Sequence, residues 1–514
     1  MTGKYLYGIA VQGIQKFIFE TGKLKEIIGG SEFVEQSCGG LFQKEVASVG
    51  TYKPDNVIVS AAGKIIYLFD EEAPYRHITK HYLKSLKSEI PEFSVIQAGI
   101  SLTDNGLTLK DALGMLEYRL ETQRSRMPMS HGRGLMISRR SKRTGKPGVE
   151  LDKRETSQKD ALDRSQVSKR SFSKKNNLIS KIDPTGGIEF PTDINEIAGE
   201  GEWLAVVHAD GNNLGKTVQR LISDPPNDME VHTLLKDFSS KLNTATQNAT
   251  QAAFRKVVLP YLSRENQSIQ KAPLRPILLG GDDLSLLIRG DLAVDFTQEY
   301  LMQFQLQTKK AFVGLLPNVL ENGLTACAGI AFIKPNYPIH YGMDLAETLT
   351  KYAKKTAKSQ KRKDRPNEIP ACLAFHKVQS SFVEEIDQII DRELSTSSTV
   401  LSDRVFFNYG PYFLDAEGLD GNYPTIDQLK TWVQILKRKD APKAGLRNWL
   451  SSLHQNRAGA AQIMQRIISR NSEYKNILQL GEEQLFVKRS YKKKEVQVTH
   501  IHDVLTLASL SNHE

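Results

Sequence analysis

Two adjacent carboxylates lie within an apolar stretch of the chain, RPILLGGDDLSLLIRG (residues 275–290). The flanking residues predict two buried strands that are joined by a turn at Gly280, Gly281, Asp282 and Asp283. Glycines at such a turn permit positive φ angles and a close approach of the backbone to a bulky ligand. Two neighbouring carboxylates at a buried turn repel each other unless a cation neutralises them. The turn therefore predicts half of a site for divalent ions, Mg²⁺ or Mn²⁺.

A third carboxylate, Asp210, ends the apolar strand predicted within EWLAVVHADGNNLGK. In a βαββαβ sheet the first strand lies beside the hairpin, so we expect Asp210 to face Asp282 and Asp283. Three carboxylates around two divalent ions can activate a ribose 3′-hydroxyl and stabilise a leaving pyrophosphate. The alternative is an ordinary aspartate-rich turn.

The residues that follow Asp210 are predicted to bind phosphate. They lead into a helix whose N-terminal backbone amides would face an anion, and a lysine adds a positive charge. The predicted nucleotide-binding residues are Asn213, Leu214, Gly215 and Lys216, together with Gly280 and Gly281 of the hairpin.

The elements that must position these residues occur twice. Strand, helix, two strands, helix and strand are predicted near the N-terminus, and the same order returns from about Trp203. The fourth strands read QAGISL (residues 97–102) and CAGIAF (residues 327–332), and each precedes a helix. The sequence therefore predicts an α+β fold with two ferredoxin-like βαββαβ units that arose by internal duplication. Two unrelated α+β segments are the alternative.

Charge and composition restrict the class of protein. The net charge of +10, from 69 Lys and Arg against 59 Asp and Glu, favours an anionic partner such as nucleotide or nucleic acid. No apolar run is long enough to span a bilayer, and the N-terminus has no signal-peptide pattern. The three scattered cysteines support neither a disulfide framework nor a zinc site, so we expect a cytoplasmic protein.

Two regions outside the repeated units are basic. Residues 138–177 contain few large apolar side chains, which predicts a flexible linker; a basic arm that grips a phosphate backbone is the alternative. After about residue 380 the chain is predicted to be mostly helical. The helices of this region have basic amphipathic faces, which predict a solvent-exposed surface; a nucleic-acid-binding groove is the alternative.

The motifs as a whole resemble a known family. The second unit resembles the palm domain that is shared by GGDEF-type diguanylate cyclases and, more closely, by the large polymerase-like subunit of type III CRISPR effector complexes. The resemblance rests on HADGNNLGK, LLGGDDLSLLI, TACAGIAFIKPNYPIHYGMDLAETLTKYAKK and the N-terminal VQGIQKFIFETGKLKEIIGGSEFVEQ. It covers residues 4–125 and 202–375, and more loosely the C-terminal part.

The resemblance implies a specific activity and specific residue roles. Such subunits join ATP into cyclic oligoadenylate second messengers, and their two palms face each other around two nucleotides. On this chain, Asp210, Asp282 and Asp283 would hold two metal ions, Lys354 would contact triphosphate, and Ser31 would lie near nucleotide in the first palm.

The chain also departs from the family pattern. Asn212 stands where related sequences often have a second acid, so the backbone carbonyl of Gly211 is an expected metal ligand. The first unit has the sequence AAGK at residues 61–64 where the second has GGDD, so it is expected to bind nucleotide without catalysis. An HD nuclease domain and a cysteine zinc site, which many such subunits carry, are not expected here.

These observations predict four regions. They are a degenerate nucleotide-binding palm (1–128), a basic flexible linker (129–195), a catalytic palm (196–380) and a mainly helical C-terminal domain (381–514). The predicted function is metal-dependent conversion of ATP or another nucleoside triphosphate to a cyclic oligonucleotide.

The alternatives are an RNA-binding scaffold subunit and a GGDEF-like cyclic dinucleotide synthase. The predicted partners are the nucleotide substrates, guide or target RNA and other CRISPR effector subunits, with no membrane, and the oligomeric state is left open.

Overall fold

The structure is a computed structural model in which most of the chain is described. The described residues are 5–61, 63–102, 106–125, 138–152, 160–199, 202–223, 231–264, 271–314, 321–360, 362, 368–379, 386–398, 403–419, 423–470, 472–492 and 494–510. No helix among them is both long and apolar enough to cross a membrane.

The N-terminal unit is a four-stranded antiparallel sheet with helices on both faces. Its elements are β1 (Tyr5–Val11), α1 (Ile14–Ile18), α2 (Leu24–Ser37), α3 (Gly40–Val49), β2 (Val57–Ala61), β3 (Lys64–Phe69), α4 (Glu72–Glu89), β4 (Val95–Ser101) and α5 (Leu109–Arg124). The strand order is β2-β3-β1-β4. Alternate residues of β1 point to opposite faces. Tyr7 and Ile9 pack in the core with α2, α3 and α4, whereas Leu6 and Ala10 pack with α5.

The helical region after β1 differs from the single helix expected from its apolar spacing. It contains α1, α2 and α3, and the chain leaves the helical conformation between Ile18 and Leu24. The Gly29-Gly30-Ser31 sequence lies in the middle of α2. A Cβ on Gly29 would lie 1.6 Å from the backbone oxygen of Lys169, so glycine permits another segment to pack directly on α2.

That packed segment is the described part of residues 138–199, here called the intermediate segment. Its elements are β5 (Glu150–Leu151), β6 (Ala161–Leu162), α6 (Arg164–Phe172), α7 (Asn177–Ile182) and α8 (Ile194–Ala198). Glu26 of α2 is fully buried and pairs with Arg143 (3.2 Å) and Arg170 (2.8 Å). Glu32, also fully buried, accepts hydrogen bonds from Asn177.

For these described residues, the expectation of a flexible linker is therefore wrong. Buried ion pairs and hydrogen bonds hold the segment on the first unit, together with apolar contacts such as that of Phe172 with Phe33 of α2, whose ring centroids are 4.9 Å apart. The expected linker also included residues 129–137 and 153–159, which lie outside the described residues.

The second unit contains a six-stranded sheet of order β13-β11-β10-β7-β9-β8, in which β13 (Tyr412–Phe413) comes from the C-terminal region. Its elements are β7 (Leu204–Gly211), α9 (Leu214–Ser223), α10 (Val231–Ala253), α11 (Leu259–Arg264), β8 (Leu274–Gly280), β9 (Asp283–Arg289), α12 (Ala293–Ala311), β10 (Ala326–Ile333), α13 (Ile339–Ser359) and β11 (Cys372–Lys377). Its strands β8-β9-β7-β10 have the same order as β2-β3-β1-β4 of the first unit. The predicted α+β class is confirmed.

The C-terminal region combines helices with short strands. Its elements are α14 (Ile386–Arg392), β12 (Val405–Phe406), β13 (Tyr412–Phe413), α15 (Ile426–Leu436), α16 (Lys443–Leu453), α17 (Arg457–Arg470), α18 (Ser472–Ile477), α19 (Glu482–Leu485), β14 (Val487–Tyr491), β15 (Lys494–Val498) and α20 (Ile501–Ala508). Helices α15, α16 and α17 lie in the region that was predicted to be mostly helical. The sheet of order β12-β15-β14 was not predicted.

The two units contact each other through β2 and α10. The hydroxyl of Ser239 donates to the carbonyl of Ser60 at 3.2 Å, and Lys236 pairs with Asp55 at 2.7 Å. A Cβ built on Gly281 would lie 3.8 Å from the Cβ of Ala61. The hairpin ends of the two sheets therefore face each other.

Candidate metal and nucleotide site

The structure brings the three predicted carboxylates together at one end of the second sheet. Asp210 lies near the end of β7, Asp282 lies in the turn between β8 and β9, and Asp283 begins β9. Strands β7 and β9 are neighbours, with Ala209 opposite Leu284. One carboxylate oxygen from each acid lies within 4.8 Å of the others, and all three residues are partly buried. The sheet topology thus produces the juxtaposition expected from the order of strands.

Two glycines allow this close approach. A Cβ on Gly211 would lie 2.7 Å from the Cβ of Asp282, which is closer than real contacts permit. Gly281 has a φ of 64°, a conformation that glycine adopts readily, and Thr246 of α10 donates a hydrogen bond of 2.5 Å to its carbonyl. Helix α10 therefore holds the turn in place through this hydrogen bond.

The acids disfavour their own ionisation in the absence of a cation. Burial, followed by the negative charge of Asp210, raises the pKa of Asp282 to about 7. Burial and then the charge of Asp282 raise the pKa of Asp283 well above its usual value. A cation between these groups would favour the charged forms of both.

Lys354, on α13, supplies one positive charge to this cluster. Its Nζ forms an ion pair with the carboxylate of Asp210 and donates to the backbone carbonyl of Gly211 at 2.7 Å. The lysine is thus at the predicted site, where its partners in this structure are protein oxygens.

The residues predicted to bind phosphate lie where β7 passes into α9. Asn213 has a φ of 60°, a left-handed conformation that asparagine tolerates, and it directs the chain into the helix. Leu214 begins α9 and is partly buried, whereas Gly215 and Lys216 are exposed in its first turn. Asn212 is buried and donates to the hydroxyl of Thr325 at 3.0 Å, so its amide is directed at β10.

Ser31 is not brought to the acidic cluster. Only 2% of the residue is exposed, and its hydroxyl donates to the carbonyl of Ile277 on β8. In this structure Ser31 therefore joins α2 to β8 and is not accessible to a nucleotide, which differs from the expectation.

Three residues near the acids were missed by sequence reasoning. The buried phenol of Tyr300, on α12, has no hydrogen-bond partner among the described residues, and burial followed by the charge of Asp282 raises its pKa well above the usual value. Glu347, on α13, has a pKa raised mainly by burial. Burial lowers the pKa of His208 to about 4, and its Nδ1 lies 2.9 Å from the hydroxyl of Ser285.

One of these three residues had a signal in the sequence. Glu347 precedes Lys354 by seven residues, which is two helical turns, so both project from one face of α13. Tyr300 and His208 lie within apolar patterns that predict core positions only.

The donor set fits a hard divalent cation. Mg²⁺ and Mn²⁺ prefer oxygen ligands, and Asp210, Asp282 and Asp283 present carboxylate oxygens within reach of one ion. The carbonyl of Gly211 also lies beside Lys354, at the same strand end. Among the described residues, these three acids form the only cluster of three or more side chains that could bind a metal ion together. They are the acids that the sequence predicted.

The fold and the acidic cluster define a class of protein, namely one built on a palm-type sheet with carboxylates at its hairpin. Residues 203–366 match the sequence model of a family described as Cas10/Cmr2, second palm domain. The resemblance to the palm subunit of type III CRISPR complexes is thereby confirmed for this part of the chain. No curated protein matches the chain.

Two solved structures show the same fold at low sequence identity, and a third is less similar. A crystal structure of Csm1 in T. onnurineus has a TM-score of 0.54 and 11% identity, with 99% of this chain and 70% of that chain covered. A crystal structure of a Csm1-Csm4 cassette in complex with AMPPNP has a TM-score of 0.51 and 12% identity, with 99% of this chain and 70% of that chain covered. A crystal structure of a Csm1-Csm4 cassette in complex with cA4 has a TM-score of 0.44 and 14% identity, with 69% of this chain and 53% of that chain covered. This chain therefore spans about half the length of that last match.

Proposed function

We propose that the chain is a metal-dependent nucleotidyltransferase that joins ATP, or another nucleoside triphosphate, into a cyclic oligonucleotide. The observation that carries this proposal is the convergence of Asp210, Asp282 and Asp283, with oxygens within 4.8 Å, at a palm hairpin. Structural carboxylates at such a turn would be expected to have cationic partners of their own, yet Lys354 pairs with Asp210 alone among the described residues.

The residues of this chain have distinct roles in the proposed reaction. Asp210, Asp282, Asp283 and the carbonyl of Gly211 would hold two Mg²⁺ or Mn²⁺ ions. When bound, such ions lower the pKa of an attacking 3′-hydroxyl and neutralise charge on the leaving pyrophosphate. Lys354 would exchange its contact with Asp210 for a contact with triphosphate oxygens.

Further residues would orient the nucleotide. The backbone amides at the start of α9, from Leu214 to Lys216, and the glycines Gly280 and Gly281 would lie along phosphates. Asn213 would hold the turn that aims these amides. Ser31 would take part only if α2 moved away from Ile277.

The first unit would position the second substrate. The hairpin of the first unit faces the acidic turn, since a Cβ built on Gly281 would lie 3.8 Å from the Cβ of Ala61. This hairpin carries no acid of its own at residues 61–64. The common strand order of the two sheets supports an internal duplication, in which the first palm (1–128) lost its acids and the second (196–380) kept them. Residues 381–514 would form a mainly helical C-terminal domain that contributes β13 to the sheet of the second unit.

The partners and the location are also proposals. Relatives with the same fold were solved as Csm1-Csm4 cassettes in complex with AMPPNP and with cA4. We infer that this chain works with other CRISPR effector subunits and with guide or target RNA, and that it does so in the cytoplasm. An RNA-binding scaffold without catalysis is the alternative.

The test is an assay of the purified protein with labelled ATP, GTP, CTP or UTP and Mg²⁺ or Mn²⁺. Each reaction is run with and without target RNA, and the products are resolved by chromatography. A cyclic product that disappears in Asp282→Asn/Asp283→Asn supports the proposal. No product under any of these conditions favours the scaffold, and a product made equally by the double variant refutes the site.

A further inference from the structure

A cavity of about 340 Å³ lies between the intermediate segment and the start of β8. One wall is formed by residues between Ser173 and Thr192, and β8 contributes Arg275 to the other. Four residues lie between Arg275 and Gly280, so the cavity lies at the opposite end of β8 from the acidic turn. It is distinct from the site described above.

Arg275 places a buried positive charge at this cavity. The residue is 3% exposed, and its Nη1 donates to the carbonyl of Phe190 at 3.0 Å. Its Nε has no hydrogen-bond partner among the described residues. Burial lowers the pKa of the guanidinium to about 10, an effect that Glu32 only partly offsets. Glu32 itself accepts hydrogen bonds from Asn177 and Leu178.

The acids of the cavity wall do not neutralise this charge. Asp183 accepts hydrogen bonds from the backbone and hydroxyl of Thr185 and from the backbone of Ile188, so its oxygens stabilise a local turn. Glu189 is exposed and interacts with Lys271 across the surface. No described carboxylate forms an ion pair with Arg275.

A buried guanidinium whose Nε has no hydrogen-bond partner in the described part of the chain is costly to the fold. The planar guanidinium group offers paired hydrogen bonds that match the oxygens of phosphate. The cavity is larger than a phosphate ion, and Ile179, Pro184 and Ile188 give it an apolar wall that suits an organic moiety. The cavity thus combines an unsatisfied cationic group with room for a small ligand.

We propose that this cavity binds a small phosphorylated ligand whose phosphate oxygens accept hydrogen bonds from Arg275. Such a ligand joins the intermediate segment to β8. The same segment already contacts the strand farther along, because Lys181 donates to the carbonyl of Leu279 at 3.0 Å and pairs with Glu35 at 2.7 Å. The ligand would therefore stabilise the strand that carries the acidic turn.

The proposal is tested by calorimetric titration of the full chain with inorganic phosphate and with AMP, in EDTA to suppress metal-dependent binding. We expect saturable binding that Arg275→Met weakens at least about tenfold. Thr192→Asp, a change at the exposed rim, should weaken binding in the same direction by charge repulsion. Ser171→Asp adds the same charge at an exposed position outside the cavity and should bind like the wild type.

The two probes distinguish the source of the phosphate group. Equal affinity for both indicates a site for free phosphate, and tighter binding of AMP indicates a phosphorylated organic ligand. The melting temperature gives an independent reading, since AMP in excess should raise it in the wild type and leave it unchanged in Arg275→Met. No binding of either probe at millimolar concentration, or binding that neither Arg275→Met nor Thr192→Asp weakens, overturns the proposal.

Discussion

The two hairpins of this molecule occupy the same position in sheets of the same strand order, yet only one of them gathers acids. In the second unit, the positive φ falls on Gly281, so the next position has an ordinary conformation and carries Asp282. In the first unit, the positive φ falls on Gly63, and a Cβ there would lie 2.7 Å from the side chain of Ile14. The position that matches Asp282 therefore disfavours a side chain, because its φ is 76° and a Cβ there would have to displace Ile14.

The strand beside each hairpin also ends in an acid only in the second unit. Strand β7 ends with Asp210 and Gly211, whereas β1 ends with the apolar Ala10 and Val11. After the first turn, Lys64 pairs with Glu117 at 2.5 Å and has no acid to neutralise within the hairpin. The comparison teaches that the gathering of acids at a hairpin of this fold depends on where the turn places its glycine, and on which residues end the adjacent strand.

The largest expected effect follows from removing the acids of the second hairpin. Asp282→Asn/Asp283→Asn should lower nucleotidyl transfer on the order of a thousandfold or more, because the ligands that hold the ions are lost. Initial rates with labelled ATP measure the effect, and circular dichroism verifies the fold. A variant that keeps a tenth of the rate would remove the contrast between the hairpins.

A smaller loss is expected from closing the gap beside Asp282. Gly211→Ala introduces a Cβ that must displace Asp282, and a misplaced ligand should reduce the rate about a hundredfold. Gly114→Ala, in an open position of α5, is the matched control and should keep the rate. Equal rates for both variants would mean that the spacing of Gly211 and Asp282 is irrelevant to the reaction.

The next effect concerns the positive charge at the site. Lys354→Met should lower the rate about thirtyfold by removing a charged hydrogen-bond donor. The adjacent, exposed Lys355→Met keeps the same helix and changes the net charge equally, and it should be near wild type. If the two variants behave alike, the role of Lys354 is only that of surface charge.

A pH series sharpens the comparison through metal affinity. The pKa of Asp282 is raised to about 7 from its usual value near 4. Between about pH 4 and pH 7, the folded protein therefore keeps a proton on Asp282 that the unfolded chain has lost. This group therefore lowers stability as pH rises through that window, and a bound ion must displace the proton. The apparent affinity for Mg²⁺, measured by calorimetry, should rise about tenfold from pH 6 to pH 8. A pH-independent affinity would contradict the protonation of the acids.

The smallest effect is expected in the first hairpin. Glu117→Gln breaks the pair with Lys64, which is about one third exposed, so screening by solvent leaves a change under about 1 kcal/mol in the free energy of unfolding. The rate of nucleotidyl transfer should stay within about twofold of wild type. A large loss of rate would show that the first hairpin takes part in the chemistry.

Much of the site could be predicted because its determinants are local. The apolar flanks of residues 275–290 fix a hairpin, the strand order of a βαββαβ unit brings Asp210 beside it, and the structure has this arrangement. Lys354 was expected at the site from the family resemblance alone, and in the structure it pairs with Asp210.

The parts that could not be predicted depend on tertiary contacts. The packing of the intermediate segment was not predicted because part of it depends on Glu26 and Glu32 of α2, which are buried in the structure but have the sequence pattern of surface residues. Ser31 looked available for a ligand since nothing local reveals the carbonyl of Ile277, which lies more than 200 residues away. Tyr300 has the pattern of a core residue, and only the fold brings its hydroxyl near the acids.

The central claim is that Asp210, Asp282 and Asp283 together hold divalent ions. The most direct measurement is a crystal structure of the protein grown with Mn²⁺, with anomalous data collected at the manganese edge. The account predicts anomalous density about 2.0–2.6 Å from oxygens of at least two of these carboxylates, with the ammonium of Lys354 displaced from Asp210. Mn²⁺ bound only elsewhere, with Lys354 still paired to Asp210, would contradict it.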